Sequence, residues 1–375
     1  MVDPVTERYI PLLAALQRNP FDTAEELAEK AGISKPTALR RLRALMGAGD
    51  EFERRYLPPG KQYFQVKPIL KYHRMGLEEV DMLIEATSAQ AMLYLERVAE
   101  RHPYTAYRSR CFGSTTGLFM QFRVPLGTSD HIQALFERLT DGGHIRSFKA
   151  LPTSQTRPLY TSMRITGWNA SSRSWTFDWE SWFRSSTKKR QTESATTDGT
   201  VLKWLTREDV YIISELMRDA RRKNTEVIES LKKRGVEITP QTFGRHLQMI
   251  NNECFDGYRV SFDTALFEAL SNILVYGTGD ATGLAVLAAR TKENPPPFES
   301  TLRVSESNLF WFIRLPQGHI SPFLNTLYSV LGSMSVCLLD YANSRLYYIY
   351  PDAYNDTRGG WIGDRKFMVD DVLSA

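Results

Sequence analysis

Residues Ala24 to Leu45 read AEELAEKAGISKPTALRRLRAL, and the predicted architecture follows from this segment. Thr23 stands where a helix N-cap is expected, before a first turn that contains two glutamates. Gly32 then permits a sharp turn, and Ser34 caps a following helix that has proline in its first turn. An apolar-periodic segment over residues 7–17 comes before both helices. This order predicts three helices arranged as a helix-turn-helix.

The last of these helices separates apolar residues from basic ones. At 100° per residue, one face holds Ala38, Leu39, Leu42, Leu45 and Met46. The opposite face holds Thr37, Arg40 and Ala44, with Lys35, Arg41 and Arg43 on its flanks. No acidic residue occurs between Ala31 and Gly49. A helix that enters the DNA major groove needs such a basic outer face and apolar inner face, so we predict that it contacts DNA.

The segment EFERRYLPPGKQYFQV, residues 51–66, follows this helix. Two arms rich in aromatic and branched residues flank PPGK, which predicts a β-hairpin, the wing of a winged helix-turn-helix. Cations on a wing neutralise phosphates. The predicted DNA-binding residues are therefore Ser34, Lys35, Thr37, Arg40, Arg41, Arg43, Arg54, Arg55 and Lys61. The alternative is a solvated basic face that never touches DNA.

Several motifs recur in the same order in the second part of the chain. The paired segments are 33–45 with 238–250, 117–127 with 308–318, 158–163 with 345–350, and Trp175-x-x-Asp178 with Trp361-x-x-Asp364. Ordered repetition of this kind indicates two homologous halves. We predict a winged helix-turn-helix at 1–66, an α+β domain at 67–183, a polar linker at 184–205, a second helix-turn-helix at 206–262 and a second α+β domain at 263–375.

The second helix-turn-helix has a weaker DNA-binding pattern. Its helix TPQTFGRHLQMI turns Phe243, Leu247 and Ile250 inward. The candidate DNA contacts are Gln241, Thr242, Arg245, His246 and Gln248. A hairpin predicted around Asp256-Gly257 offers one cation, Arg259. A copy kept for pairing or packing is an equally good interpretation.

The remainder of each half predicts an α+β unit. In the first half a helical stretch is expected over 77–100, then strands at 104–113 and 117–125, a helix at 129–139 and a strand at 145–151. Strands of period two with helices on one face indicate a ferredoxin-like sandwich. The predicted fold class is thus α+β, with two copies of a winged helix-turn-helix followed by a ferredoxin-like domain.

The motifs AEELAEKAGISKPTALRRLRAL and YTAYRSRCFGSTTGLFMQFRVP resemble the leucine-responsive regulator (Lrp/AsnC) family. The resemblance implies a transcription regulator whose α+β domain, of the RAM/ACT-like type, pairs through its sheet and binds a small effector. One chain with two copies would be a covalent pseudo-dimer on double-stranded DNA, able to pair further into homodimers. The effector candidates are Gly113, Ser114, Thr115, Thr116, Arg123 and Arg314. For the two arginines, solvated strand ends are the favoured interpretation, because most arginines are exposed.

The composition and the positions of the cysteines and histidines exclude several other classes of protein. The chain has 375 residues, 42% hydrophobic and 24% charged, with a net charge of +4, which is ordinary for a globular protein. Its three cysteines and six histidines show no disulfide framework and no metal-ligand spacing. The most membrane-like window, Ala269 to Ala289, contains Asp280 and predicts two buried helices. We expect a cytoplasmic protein with no membrane span, cofactor or metal.

Two other functions stay open. Sirohaem decarboxylases, which resemble these regulators, use the same architecture as an enzyme, and His102, His144, Arg108, Arg110 and Arg123 are the residues that would serve it here. No nucleophile motif or phosphate-binding loop supports another enzyme class. A third interpretation is a partner-binding module without DNA contact.

Overall fold

The structure is a computed structural model that describes residues 6–154, 156–169, 174–185, 200–263, 266 and 270–374. It is a mixed α+β fold in which three helices and a strand precede a larger α+β unit, and this order occurs twice along the chain.

The first helix-turn-helix consists of α1 (Thr6–Arg18), α2 (Ala24–Ala31), α3 (Lys35–Leu45) and β1 (Phe64–Leu70). Its core is aliphatic and aromatic, with Leu12, Leu27 and Leu45 fully buried. Thr23 and Glu26 form the reciprocal capping box of α2, and Gly32 ends that helix in the left-handed region at φ 64°.

The predicted wing hairpin is wrong. Residues Glu53–Arg55 form a short 3-10 helix, and β1 has its partner in the second half of the chain. The second predicted hairpin is also a single strand, β9 (Phe255–Phe262), which follows α7 (Arg207–Arg218), α8 (Asn224–Lys232) and α9 (Pro240–Glu253). Strands β1 and β9 pair antiparallel, from Phe64 opposite Phe262 onward. The two helix-turn-helix units are therefore joined by a shared two-stranded ribbon.

The first α+β unit has the strand and helix order of a ferredoxin-like sandwich. It comprises β2 (Leu77–Ala86), α4 (Ala89–Arg101), β3 (Thr105–Gly113), β4 (Gly117–Pro125), α5 (Ser129–Asp141) and β5 (Ile145–Ala150), in the sheet order β5-β2-β4-β3. The prediction of one helix over 77–100 is wrong in its first part, because residues 77–86 are a strand.

The second α+β unit repeats this order. It comprises β10 (Leu270–Gly279), α10 (Ala281–Glu293), β11 (Ser300–Ser305), β12 (Asn308–Pro316), α11 (Gln317–Tyr328) and β13 (Leu331–Leu339). The window 269–289 thus contains a strand and a helix rather than the two predicted helices. Gly277 is required there, because a Cβ would lie 2.0 Å from the carbonyl oxygen of Ser333 on the neighbouring strand.

Both units belong to one ten-stranded sheet, which folds over on itself. Strand β3 of the first unit pairs with β13 of the second, so the sheet runs continuously from one unit to the other. Phe119 of β4 and Phe310 of β12 lie 5.8 Å apart by ring centre, although three strands separate them in the sheet. The interior between the folded halves is therefore a second packed layer.

The segment that follows each α+β unit pairs with a strand of the other half of the chain. β6 (Leu159–Thr161) pairs with β11, and β14 (Arg345–Leu346) pairs with β3. Small hairpins and helices follow: β7 (Trp168–Asn169), β8 (Ser174–Trp175) and α6 (Trp179–Arg184) in the first half, and β15 (Tyr354–Asn355), β16 (Gly360–Trp361) and α12 (Asp371–Ser374) in the second. Trp175, Trp179 and Trp182 are buried, and Trp179 stacks on Phe298 of the other half.

Candidate nucleic-acid interface

The first turn of α3 is capped by the side chain of Ser34. The Ser34 hydroxyl accepts a hydrogen bond from the Thr37 backbone N–H at 3.4 Å, and the Thr37 hydroxyl lies 2.8 Å from it. Lys35 at the first turn is exposed and pairs with Glu25 of α2 at 2.7 Å, an exposed contact that contributes little. The N-terminal turn of α3 therefore presents hydroxyl and ammonium groups to solvent, and such groups bind phosphate.

The exposed face of α3 is rotated from the predicted one. Ala44, expected to face outward, is buried, whereas Leu39 and Met46, expected inward, are 39% and 41% exposed. Arg43 is exposed on the last turn of the same face. The face that α3 turns to solvent therefore runs along Lys35, Leu39, Arg43 and Met46.

Arg40 and Arg41 are engaged within the domain. The Arg40 Nε donates to Glu53 at 2.8 Å, and its guanidinium lies 5.4 Å from the centre of the Phe52 ring. Arg41 Nη1 donates to the backbone oxygen of Arg8 at 2.6 Å. Both side chains thus fasten α3 to the neighbouring segments, and Arg43 and Lys35 are the basic groups of α3 that its outer face exposes.

The carboxylate of Glu53 is the common partner of Arg8 and Arg40, and the sequence analysis did not predict this role. Its buried carboxylate accepts from Arg8 Nη2 at 2.7 Å, from Arg40 and from the Tyr9 hydroxyl. Burial raises the pKa of Glu53, but the hydrogen bonds from Arg8, Tyr9 and Arg40 outweigh it and lower the pKa below its ordinary value. The sequence feature that could have indicated this role is a glutamate within the basic and aromatic segment EFERRY, residues 51–56.

The remaining cations of the predicted wing lie apart from α3's outer turn. Arg54 and Arg55 are exposed on the 3-10 helix, where Arg54 Nε also donates to the backbone oxygen of Gly49 at 3.0 Å. Lys61 pairs with Asp263 of the second half at 3.0 Å. Arg54 and Arg55 therefore lie on a 3-10 helix and Lys61 on the segment before β1, not at the tip of a hairpin.

The third helix of the second helix-turn-helix, α9, exposes a neutral-to-basic face. Gln241, Arg245 and Gln248 are exposed, whereas Thr242 is half-buried beside its cap, where its backbone N–H bonds the Thr239 hydroxyl at 3.2 Å. The His246 Nδ1 lies 2.5 Å from the buried carboxylate of Asp209 on α7. His246 is thus directed into the domain rather than toward a groove.

The six predicted effector residues do not form one site. Gly113 to Thr116 make the turn that contacts β13, where the Ser114 N–H donates to Val336 at 3.0 Å. Arg123 lies seven residues further along β4 than Thr116, about 23 Å at the spacing of an extended strand. Arg123 pairs with Glu79 at 2.8 Å and Arg314 with Glu299 at 2.9 Å. Both arginines therefore belong to ion pairs, and Arg123 lies at the end of β4 that is far from this turn.

The residues considered for a tetrapyrrole site are also dispersed. Arg108 and Arg110 both pair with Glu96 of α4 at 2.9 Å. His144 stacks on Tyr94 at 4.2 Å between ring centres, and His102 is buried against Phe122 in the core beneath α4. Within the described ranges no cluster of three or more metal-ligating side chains occurs.

The class of the protein follows from this site and from family comparison. Residues 12–49 match the winged helix-turn-helix DNA-binding family, a region that includes α2, α3 and most of α1. The chain therefore contains a DNA-binding helix-turn-helix domain set in an α+β fold. No curated protein matches the sequence significantly. None of the helices in the described part of the chain is long and apolar enough to cross a membrane.

Solved structures then identify the particular fold. The chain is similar to the siroheme decarboxylase NirDL, with 12% identity over 98% of this chain and 99% of that one at a TM-score of 0.50. The same enzyme in complex with an iron-uroporphyrin III analogue gives 11% identity, 92% and 95% coverage and a TM-score of 0.51. At this identity the likeness defines the fold and not the activity. The transcriptional regulator NMB0573 from Neisseria meningitidis, in complex with L-Met, matches 39% of this chain and 87% of its own at 19% identity, but its TM-score of 0.28 is too low to support a conclusion.

Proposed function

We propose that this chain is a sequence-specific DNA-binding transcription regulator. The observation that carries the proposal is the exposed face of α3, where Lys35 stands at the capped helix start and Arg43 on the last turn, inside the segment that matches the DNA-binding family. A recognition helix positions itself through phosphate contacts at its N-terminus and reads bases along its outer face. Ser34, Thr37, Arg54, Arg55 and Lys61 would add contacts at the rim, and Arg40 and Arg41 would hold the helix in place.

The proposal extends to a covalent pseudo-dimer of two homologous, Lrp/AsnC-like halves. The β1–β9 ribbon supports it, because it ties one helix-turn-helix to the other through paired backbones. In such a regulator α9, with Gln241, Arg245 and Gln248 exposed, would meet a second and weaker half-site about one helical turn from the first. The α+β units would bind a small effector and pair chains further in the cytoplasm.

Fluorescence anisotropy with labelled duplex DNA tests this function. The probe is the region upstream of the protein's own coding sequence, with a scrambled duplex of equal length for comparison. We expect tighter binding to the first, and an affinity that falls steeply with salt because several phosphates are neutralised. The double variant Lys35→Ala, Arg43→Ala should lose most of the affinity, whereas Arg146→Ala, which removes an exposed cation of β5, should not. Equal binding by both variants would refute this interface.

A tetrapyrrole decarboxylase is the second candidate, because the fold resembles NirDL over nearly the whole chain. The dispersed positions of His102, His144, Arg108, Arg110 and Arg123 weigh against it. A visible absorption titration of the purified chain with iron uroporphyrin separates the two: a saturable Soret shift supports the enzyme, and an unchanged spectrum with DNA binding supports the regulator. A chain that does neither would be a partner-binding module.

A further inference from the structure

The two α+β units meet along one closed seam. There, Cys337, Leu338 and Leu339 of β13 pair with Gly113, Phe112 and Cys111 of β3. The turn after β3 tightens this seam, since the Val336 N–H donates to the Ser114 hydroxyl at 2.9 Å. The fourth strand of one unit is thus sealed against the second strand of the other.

The corresponding seam on the other side is open. The equivalent strands are β5, the fourth of the first unit, and β11, the second of the second unit, but β11 pairs with β6 instead. Among the described residues β5 has β2 as its one strand partner. Leu151 N–H bonds Asp81 at 2.9 Å, and the next residue is Pro152, which has no N–H to donate to a ladder. The proline therefore ends the strand where a closed seam would begin.

A cleft of about 400 Å³ lies beside this open seam, between the end of β5 and the strands β10, β12 and β13. This volume includes space that is open to solvent, so the cleft is a shallow surface site. The groups that give it chemical character are Lys149, Thr153, Tyr276, Asn308, Ser333 and Ser335. Both units contribute to it, so a ligand there would contact the two halves at once.

One hydroxyl of the cleft lacks a partner. Thr153 is 1% exposed, and its Oγ1 makes no hydrogen bond within the described residues. A buried hydroxyl without a partner costs stability, and such groups in native proteins usually meet a water, an ion or a ligand. Across the cleft, the Ser333 and Thr278 hydroxyls lie 2.7 Å apart and keep lone pairs and a proton for a further partner.

The charge of the cleft is a single cation. Lys149 is exposed at its edge, with its Nζ 5.3 Å from the centre of the Tyr276 ring, and the other described lining residues are uncharged. One ammonium group beside several hydroxyls and an amide matches a ligand with one carboxylate and several hydroxyls. A dianion would leave one charge unpaired, and an apolar acid would leave the hydroxyls unpaired.

We propose that this cleft binds a small polyhydroxy monocarboxylate, of the sugar-acid class. The carboxylate pairs with the Lys149 ammonium, the ligand hydroxyls bond Ser333 and Asn308, and a rotation of the Thr153 side chain brings its hydroxyl, which is closed to solvent in the free chain, to the ligand. This binding does not depend on whether the chain contacts DNA, so its test is separate from that of the proposed function.

Isothermal titration of the full chain with D-gluconate tests the site, with sorbitol and hexanoate as matched probes. Sorbitol has the hydroxyls without the charge, and hexanoate has the charge without the hydroxyls. We expect saturable gluconate binding with a Kd below about 1 mM, and binding of the two matched probes at least about tenfold weaker. Gluconate that binds no better than sorbitol and hexanoate, or that does not saturate, would overturn the proposal.

Three variants assign the binding to this cleft. Lys149→Met should weaken gluconate binding about tenfold or more, because a charged hydrogen bond is lost. Arg146→Met, a cation three residues away on the same strand, should bind as the wild type does. Thr153→Val should raise the melting temperature and weaken binding, because it removes a hydroxyl that the free protein leaves unpaired. A hydroxyl with a purely structural role would instead lower the melting temperature, and that result contradicts the assignment.

Discussion

Arg303 of β11 donates to the buried carboxylate of Asp81 on β2, across the interior of the folded sheet. The side chain of Arg303 is 1% exposed and that of Asp81 is fully buried, and Arg303 also contacts Glu79. The first α+β unit thus supplies the acids and the second supplies the arginine. Since both charges are buried, the two halves depend on each other for charge balance.

We predict that Arg303→Met destabilises the whole chain by about 3–5 kcal/mol, because the buried Asp81 carboxylate loses its directly bonded cation and keeps only Arg123, at 3.8 Å. Urea unfolding followed by tryptophan fluorescence measures this loss. The double variant Asp81→Leu, Arg303→Met should recover most of it, since Glu79 keeps Arg123 as its counter-ion at 2.8 Å. A single variant that loses less than about 1 kcal/mol, as exposed pairs do, would contradict this role.

A second prediction concerns pH. Burial against Phe122 lowers the pKa of His102 to about 3, so this imidazole is neutral in the folded chain. Since the unfolded pKa is about 6.5, stability is complete above that pH and falls below it, by up to about 1.4 kcal/mol per pH unit. Unfolding titrations between pH 7 and 5 should show this slope in the wild type and a shallower one in His102→Leu. Parallel slopes would mean that His102 protonates in the folded state.

The helix-turn-helix was predictable from local chemistry. The Thr23 capping box, the left-handed turn at Gly32 and the Ser34 cap each act within four residues, so they are legible in the sequence. The exposed face of α3 was not predictable from the sequence. Arg40 was expected to face outward, but its bond to Glu53 turns its side chain toward the domain. A contact such as this one, between a helix and a segment that follows it in the chain, leaves no regular spacing of residue types in the sequence.

The missed strands share one physical cause. Residues Val80 to Ile84 of β2 are all buried, because the folded sheet covers one face of the strand and the helices α4 and α5 cover the other. A strand buried on both faces loses its period of two and is easily taken for a buried helix. The prediction of the two wing hairpins was wrong for another reason. Strand β1 pairs with β9, about 190 residues away, so no local turn sequence could reveal the partner strand.

Acid should weaken the second helix-turn-helix through Glu215. Burial raises the pKa of this carboxyl, but hydrogen bonding from Arg222 and the charge of Arg234 outweigh it, and the net pKa is lowered. Stability from a lowered carboxyl pKa is present above the unfolded value, about 4.3, and is lost as pH falls through the folded value. We therefore expect Glu215→Gln to be much less stable than the wild type at pH 7, with a gap that narrows below about pH 4. Chemical denaturation across this range measures the gap, and a constant gap would exclude the ionised carboxylate as its source.

The last prediction separates anchoring arginines from DNA-contacting ones on α3. Arg41 bonds the backbone of Arg8 and lies over the Tyr9 ring, so Arg41→Ala should lower the free energy of unfolding by about 1–2 kcal/mol and change DNA affinity little. Arg43 is exposed, so Arg43→Ala should leave stability unchanged and weaken binding about tenfold, a cost typical of one lost charged contact.

The salt dependence of binding refines this distinction. If Arg43 contacts a phosphate, its removal makes the slope of log affinity against log salt shallower by about 0.9, whereas loss of a base contact leaves the slope unchanged. Anisotropy titrations at several salt concentrations, paired with urea unfolding of the same samples, provide both readouts. If Arg41→Ala weakened binding more than Arg43→Ala at equal stability, the outer face of α3 would have to be redrawn around Arg41. The guanidinium could then keep its Nη1 bond to the Arg8 carbonyl and donate to DNA through its other N–H groups, since it carries five donors.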